Sequence, residues 1–412
     1  MNRLQTTILG LGALAVANAG AALANDDLLT LRSALAGGKP NLDLRLRYES
    51  VDQDNALESA AAGTVRTRLG YTTDRWNGLD VGIEFEGVEP IGAQRYNSTL
   101  NGRTGFATVA DPKGNELNQA FVRYAGLPGT VVKYGRQRIV LDNARFVGNV
   151  GWRQNEQTFD AARLTGSWIP KATIDYAFVT DINTVTFADL RLHGHLLNVI
   201  YAPAQWLSLT AYGYLLDWSA NATSVPNAPG SLSPPQREDS RTFGLRAAGS
   251  IALGAGKLVY AADVARQSDY SDSAIGESSY LLAEFGYGIP AIGLKLGYEV
   301  LGGDGTDSFQ TPLATLHAFQ GWADQFLMTP RKGIKDSYAQ ISGTLFKKLG
   351  WLLRGHEFAA DEGGPEYGDE IDAQLTWAFL ETLSVGAKYA DYNARSVSVD
   401  TTKSWAWVEY RF

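Results

Sequence analysis

Over residues 41–51 the side chains alternate without a break. Leu42, Leu44, Leu46 and Tyr48 fall on one side of an extended chain, and Asp43, Arg45, Arg47 and Glu49 fall on the other. A strand presents successive side chains to opposite faces, so such a stretch is satisfied by a sheet with one apolar and one charged face. The pattern recurs down the chain. Residues 65–71 bring Arg66 and Arg68 together, and residues 79–85 set Val81, Ile83 and Phe85 against Glu84 and Glu86. Residues 172–178, 258–264, 294–300 and 371–377 repeat it around Asp175, Asp263, Lys295 with Glu299, and Asp372 with Gln374. Two architectures use faces of this kind. In a soluble sandwich the apolar face is the core, whereas in a transmembrane barrel it meets lipid and the charged face lines a wet lumen.

Composition and chain layout favour the barrel. The 412 residues are 45% hydrophobic and only 19% charged, yet include 44 Gly, 10 Trp, 19 Tyr and 16 Phe. Mean hydropathy is -0.16, too low for a bundle of membrane helices. Beyond the first two dozen residues no apolar run approaches the ~18 residues of a spanning helix. Connections after the first strand alternate long and short. Residues 73–78, 125–129, 169–172, 202–206, 288–293 and 379–382 read as tight turns, and residues 87–115, 217–240 and 302–336 as long polar loops. Outer-membrane barrels have short periplasmic turns and long extracellular loops. The chain ends on Val408, Tyr410 and Phe412 in one phase, with Trp405 and Trp407 before them, an aromatic final strand suited to assembly into the outer membrane. The expected fold is all-β: a transmembrane antiparallel β-barrel of about 18 strands, outer-membrane type.

Arg3, the apolar stretch 8–16 and the small residues Ala22-Leu23-Ala24 read as a secretory signal peptide, residues 1–24, cut before Asn25. Residues 25–40 then form a short periplasmic segment and residues 41–412 a single barrel. With no cysteine there is neither a disulfide nor a lipid-acylation site. The net charge of -8 argues against nucleic acid as a partner.

Signatures of catalysis are sparse. No G-x-S-x-G elbow or H-E-x-x-H pair occurs, and Gly254-Ala255-Gly256-Lys257 has the wrong spacing for a phosphate loop and reads as a turn. His193 and His195 share one strand face and could hold a metal together, but polar surface is the commoner role for such a pair. The acidic patches at residues 303–307 and at Asp361-Glu362 lack the ligand spacing of a Ca²⁺ site. No metal or cofactor is expected.

The most specific stretch is residues 135–160, GRQRIVLDNARFVGNVGWRQNEQTFD. It contains Gly135-Arg136-Gln137, Leu141-Asp142-Asn143, Arg145-Phe146-Val147-Gly148, Trp152-Arg153-Gln154-Asn155 and Gln157-Thr158-Phe159-Asp160. Together with the runs at residues 42–49, 67–71 and 317–324 and with Thr329-Pro330, it resembles the alginate export family of outer-membrane barrels over essentially the whole mature chain. The resemblance implies an eighteen-stranded pore that moves anionic polysaccharide outward.

The residues themselves agree in part. Arg136, Arg138, Arg145, Arg153 and Arg163 crowd one strand–loop–strand unit, and a guanidinium fork matches a uronate carboxylate. Strict alternation sends Arg136 outward with Val132 and Tyr134. A bulge at Gly135 would turn Arg136 and Arg138 into the pore, and the alternative is that both lie at the extracellular rim. The expected pore-lining set is Arg45, Arg47, Arg66, Arg68, Glu84, Glu86, Arg136, Arg138, Arg145, Arg153, Asp160 and Arg163. Glu84, Glu86, Asp175, Glu370 and Asp372 make this lumen mixed in charge.

Expected function is a conduit for an anionic polysaccharide or oligosaccharide. The alternative within the same class is a porin for small anionic nutrients. A barrel enzyme would need a Ser–His pair near the outer rim, and a purely structural or adhesive barrel leaves the clustered arginines unexplained. Expected partners are outer-membrane lipid and lipopolysaccharide, the anionic saccharide cargo, the assembly machinery through the Phe412 strand, and periplasmic export proteins.

Overall fold

Each alternating segment is a strand, and the strands close on themselves. The computed structural model describes residues 25–219, 237–289 and 291–412. The expected leader, residues 1–24, and most of the loop expected at 217–240 lie outside them. Among the described residues, 18 strands form one antiparallel sheet in which each pairs with its neighbours in sequence. The first, β1 (Lys39–Gln53), pairs with both β2 (Ala60–Thr72) and the last, β18 (Thr401–Arg411). Because no strand edge is left unpaired, the sheet can sit in a bilayer with every ladder hydrogen bond made.

The two faces separate as the alternation requires. Leu46, Tyr48, Leu69, Ile83 and Phe85 are exposed on the outer wall, while Arg45, Arg47, Glu49, Arg66, Arg68, Glu84 and Glu86 are buried inside. Connections alternate too. β2 reaches β3 (Leu79–Arg95) through a short turn, and β3 reaches β4 (Gly114–Leu127) through residues 96–113 on the opposite end. The long connection expected from residue 87 therefore begins later, because Val88 continues the ladder opposite Gly114 and β3 stays paired with β2 as far as Arg95. Not every link at the long-loop end is long. Between β7 (Ala172–Asn183) and β8 (Asp189–Ala204), Thr184 Oγ1 accepts the N–H of Ala188 and ties a tight turn.

Ahead of β1, residues 25–36 form helix α1 (Asn25–Ala36), which Gly37-Gly38 terminates. The helix lies at the short-turn end, where Tyr71 Oη donates to the carbonyl of Leu35, Trp76 Nε1 donates to Thr30 Oγ1, and the Asp74 N–H donates to the carbonyl of Ala34.

The closing seam is anchored by the last residue. Leu42 and Phe412 exchange both backbone hydrogen bonds, at 3.0 and 2.8 Å, and the Phe412 ring is exposed. Trp405 and Trp407 take the opposite phase from Val408 and face the lumen, so only the even-numbered residues of the aromatic terminus face outward. Deleting Phe412 removes a closing pair and an outward aromatic together. Outer-membrane fractions should then contain severalfold less of the barrel that migrates faster unheated than boiled, and an unchanged amount would refute this role for the seam.

Candidate functional site

Two connections on the long-loop end fold back into the barrel. One is residues 138–157, between β5 (Thr130–Gln137) and β6 (Thr158–Gly166). The other is residues 302–333, between β13 (Ile292–Leu301) and β14 (Ile334–Leu345). Both carry apolar residues that a solvent-facing loop would not bury: Ile139, Leu141 and Val147 in the first, and Phe309, Leu313 and Phe326 in the second. Left-handed backbone at Asp142, Ala144 and Val150 gives the first its sharp reversals. The two segments join directly. Val147 bridges Leu313, the Gly148 N–H donates to the carbonyl of Leu313 at 2.8 Å, and the Thr315 N–H donates to that of Ala144 at 3.0 Å. Phe146 packs among Tyr212, Tyr214, Tyr280 and Phe309, with ring centroids 5.1–5.9 Å apart. The result is a single plug with its own apolar contact to the wall.

Charged wall residues hold the plug. Arg45 Nε donates to Gln154 Oε1 at 2.9 Å, and its terminal nitrogens donate to the carbonyls of Gly151, Trp152 and Arg153. Arg47 reaches the carbonyl of Trp152 and the carboxylate of Asp111. In return, plug arginines meet wall carboxylates. Arg153 pairs with Glu49 at 3.2 Å and with Asp324 of the second loop at 3.1 Å. Arg145 pairs with Glu299 of β13 at 2.6 Å and donates to Thr311 and Gln320. Arg138 joins Glu84 and Glu156, Arg68 joins Glu86 and Glu156, and Arg66 joins Asp43 and Glu409. Backbone N–H groups of the second loop reach the wall as well, Ala323 donating to Glu370 at 2.7 Å. Buried guanidinium and carboxylate groups are tolerated here because nearly every one has a charged or hydrogen-bonded partner.

The structure thus brings Arg45, Arg47, Arg66, Arg68, Glu84, Glu86, Arg138, Arg145 and Arg153 into one network around the plug. Arg163 enters the lumen lower down, paired with Asp175 at 2.5 Å. Arg136 and Asp160 do not belong to the network, a correction to the expected set. Gly135 does take a left-handed φ of 115°, but the ladder runs through it without a register shift. Arg136 therefore keeps the outward phase of Val132 and Tyr134. Its charge is balanced by Asp160, also outward, at 2.9 Å, and by the carbonyl of Leu117. Register shifts lie to either side of it, where Asn118 of β4 and Thr180 of β7 are left without a register partner.

His193 and His195 share the outward phase too. His193 stands 3.8 Å from Asp217 and His195 bonds to Tyr176 at 2.8 Å. Among the described residues, no group of acidic and histidine side chains has the arrangement of a metal site, and no serine bonds to a histidine.

Several luminal residues lie beyond the expected set. Lys388 of β17 (Leu383–Ala394) is enclosed by the rings of Trp152, Trp322 and Trp405, its ammonium 4.2, 3.6 and 5.7 Å from their centroids. Its Nζ donates to Nε2 of His317 at 2.9 Å, and the other ring nitrogen of His317 contacts Asp324 at 2.7 Å. Burial, with Lys388 and Arg153 nearby, outweighs Asp324 and lowers the His317 pKa to about 3, so the imidazole is neutral and can accept from the lysine. The tryptophans were visible as residues, but the box needs three segments far apart in sequence. Arg354 of β15 (Leu349–Ala359) lies under the plug, 5.6 Å from the ring of Trp322 and 5.7 Å from that of Tyr338.

A sequence profile described as Alginate export matches residues 40–309. No curated protein matches the chain. The fold is similar to those of three solved structures: Pseudomonas aeruginosa OccK5 (OpdH), with 15% identity and a TM-score of 0.68; P. aeruginosa OpdK with vanillate, 13% and 0.70; and Acinetobacter baumannii OccAB2, 15% and 0.72. Each comparison covers 92% of this chain and 99% of the other. At such identities the likeness is one of fold.

Proposed function

Because the chain belongs to the alginate export family and is a porin-like barrel of the bacterial outer membrane, we propose that it conducts an anionic polysaccharide or oligosaccharide through its arginine-containing lumen. Family and fold are of the channel type rather than the enzyme type. The observation that carries the cargo reading is the concentration of arginines where the bore is narrowed by the plug. A polyanion crossing a low-dielectric wall needs fixed positive charge along its route. Guanidinium groups that clamp loop carbonyls and carboxylates can exchange those partners for uronate carboxylates of the same geometry. On this reading the plug is the closed state, and cargo competes for the groups that hold it.

The second reading, a porin for small anionic nutrients, is favoured by the filled lumen and by the similar barrel solved with vanillate. Planar-bilayer recordings separate the two. Polyuronate, glucuronate and neutral dextran are added in turn to the purified barrel. Polymer conduction requires current block by polyuronate at concentrations where glucuronate and dextran have no effect. Block by glucuronate alone would favour the nutrient porin, and no block by any of them would remove both. Lipopolysaccharide, the assembly machinery and periplasmic export proteins remain the proposed partners, the last engaging the short-turn end.

A further inference from the structure

On the lumen wall at the short-turn end, β11 (Gly256–Asp269), β12 (Ser278–Ile289), β13 and β14 leave a groove of about 670 Å³. Its floor is almost bare backbone. Gly288 and Gly293 are register partners beside the β12–β13 turn, and Gly286 is the next inward position along β12. Lys257, Val259, Lys295, Gln340 and Ser342 stand around it. Val259 is 41% exposed, an apolar side chain in the same phase as the luminal Asp263. Lys257 is exposed at the mouth, and Lys295 is oriented by Glu284 at 2.7 Å. Gln340 Oε1 accepts two N–H groups of Arg354, at 3.0 and 2.7 Å, so the groove leads upward to that arginine. Among the described residues Arg354 has no carboxylate partner, unlike Arg138, Arg145 and Arg153 of the plug.

These features match one ligand class. A pyranose ring offers apolar C–H faces and a rim of hydroxyls, and a uronate adds one carboxylate. Two facing glycines let such a ring lie against the backbone, Val259 covers a C–H face, Gln340 and Ser342 meet hydroxyls, and Lys257 meets the carboxylate. The volume is that of a small-molecule site. We propose that this groove is a loading subsite, holding a uronate unit of the cargo at the periplasmic mouth before it reaches the plug. The proposal rests on the saccharide reading above.

Gly293→Leu tests it. A Cβ there meets its nearest neighbours, Gly288 Cα and Tyr287 O, at 3.5 and 3.7 Å, ordinary contacts, so the sheet accepts the side chain while the groove is filled. Faster migration of the unheated protein reports folding. With a short oligomannuronate added from the short-turn side, the half-blocking concentration should rise about tenfold or more. Addition from the long-loop side should show a smaller change. Lys257→Gln, at an exposed position, should raise it about threefold at low salt and leave it unchanged at high salt. If the wild type is blocked and both variants match it, the groove is not the subsite and the conduction reading stands. If oligomannuronate fails to block the wild type but glucuronate blocks it in a Gly293→Leu-sensitive way, the groove stands and the polymer reading falls. No block by either sugar overturns both.

Discussion

Glu299→Ala should release both inward loops and raise single-channel conductance severalfold. Glu299 is the wall residue on which the loops converge: it accepts from Arg145 at 2.6 Å, from Gln320 of the second loop, and from Tyr280 at 2.7 Å. Without the carboxylate, Arg145, whose side chain is 1% exposed, keeps only neutral partners in a dry setting. Breaking a buried pair by removing one member costs about 3–5 kcal/mol. That cost falls on the closed arrangement, because an unseated Arg145 regains water. Glu299→Gln keeps an acceptor oxygen and should give an intermediate conductance. Wild-type conductance in Glu299→Ala, with unchanged protease sensitivity at residues 138–157, would show that the loops are held by their apolar contacts alone.

The second large effect concerns charge. Replacing Arg138, Arg145 and Arg153 together with glutamine should shift the channel strongly toward cations and weaken polyuronate block. The three arginines pair with Glu84, Glu156, Glu299, Glu49 and Asp324, and the substitutions remove three positive charges, leaving Glu49, Glu156 and Asp324 only Arg47, Arg68 and Lys403. Reversal potentials in a salt gradient measure the shift. It should shrink as salt approaches 1 M, where charges are screened beyond about 3 Å. Arg136→Gln serves as the contrast, since its partner Asp160 faces outward, and it should leave selectivity alone. Equal effects from Arg136→Gln and the triple variant would overturn the placement of these residues.

The strands, their phase and the end bearing the long loops were legible because each depends only on local order along the chain. Residues 41–51 declare their faces without help from any partner. Arg136 shows where local reasoning failed. Alternation alone put it outward, correctly. An outward charge is costly in a membrane, which argues for a bulge, but register brings Asp160 beside it, and register is not written in either strand. The inward loops were legible only as composition. Residues 141–157 are rich in Asn and Gly and hold Trp152, but the partners that draw them inward come from β1, β3 and β13, and Arg145 meets Glu299 across 154 residues of chain. The same distance hid the box around Lys388, whose rings come from both loops and the final strand.

The plug also has a mechanical consequence. In a ring of 18 strands, β3 and β13 stand nearly half a turn apart, and the joined loops are tied to both, through Glu84 and Glu86 on one side and Glu299 on the other. A hydrogen-bonded cylinder resists stretching around its circumference far more than it resists bending, so its wall opposes flattening into an ellipse only weakly. The loops act as a spoke across the diameter. If the plug is the closed state, closing the bore and keeping it round are one task, performed by the same few contacts, and whatever opens the channel also softens the cylinder against lateral pressure from the bilayer.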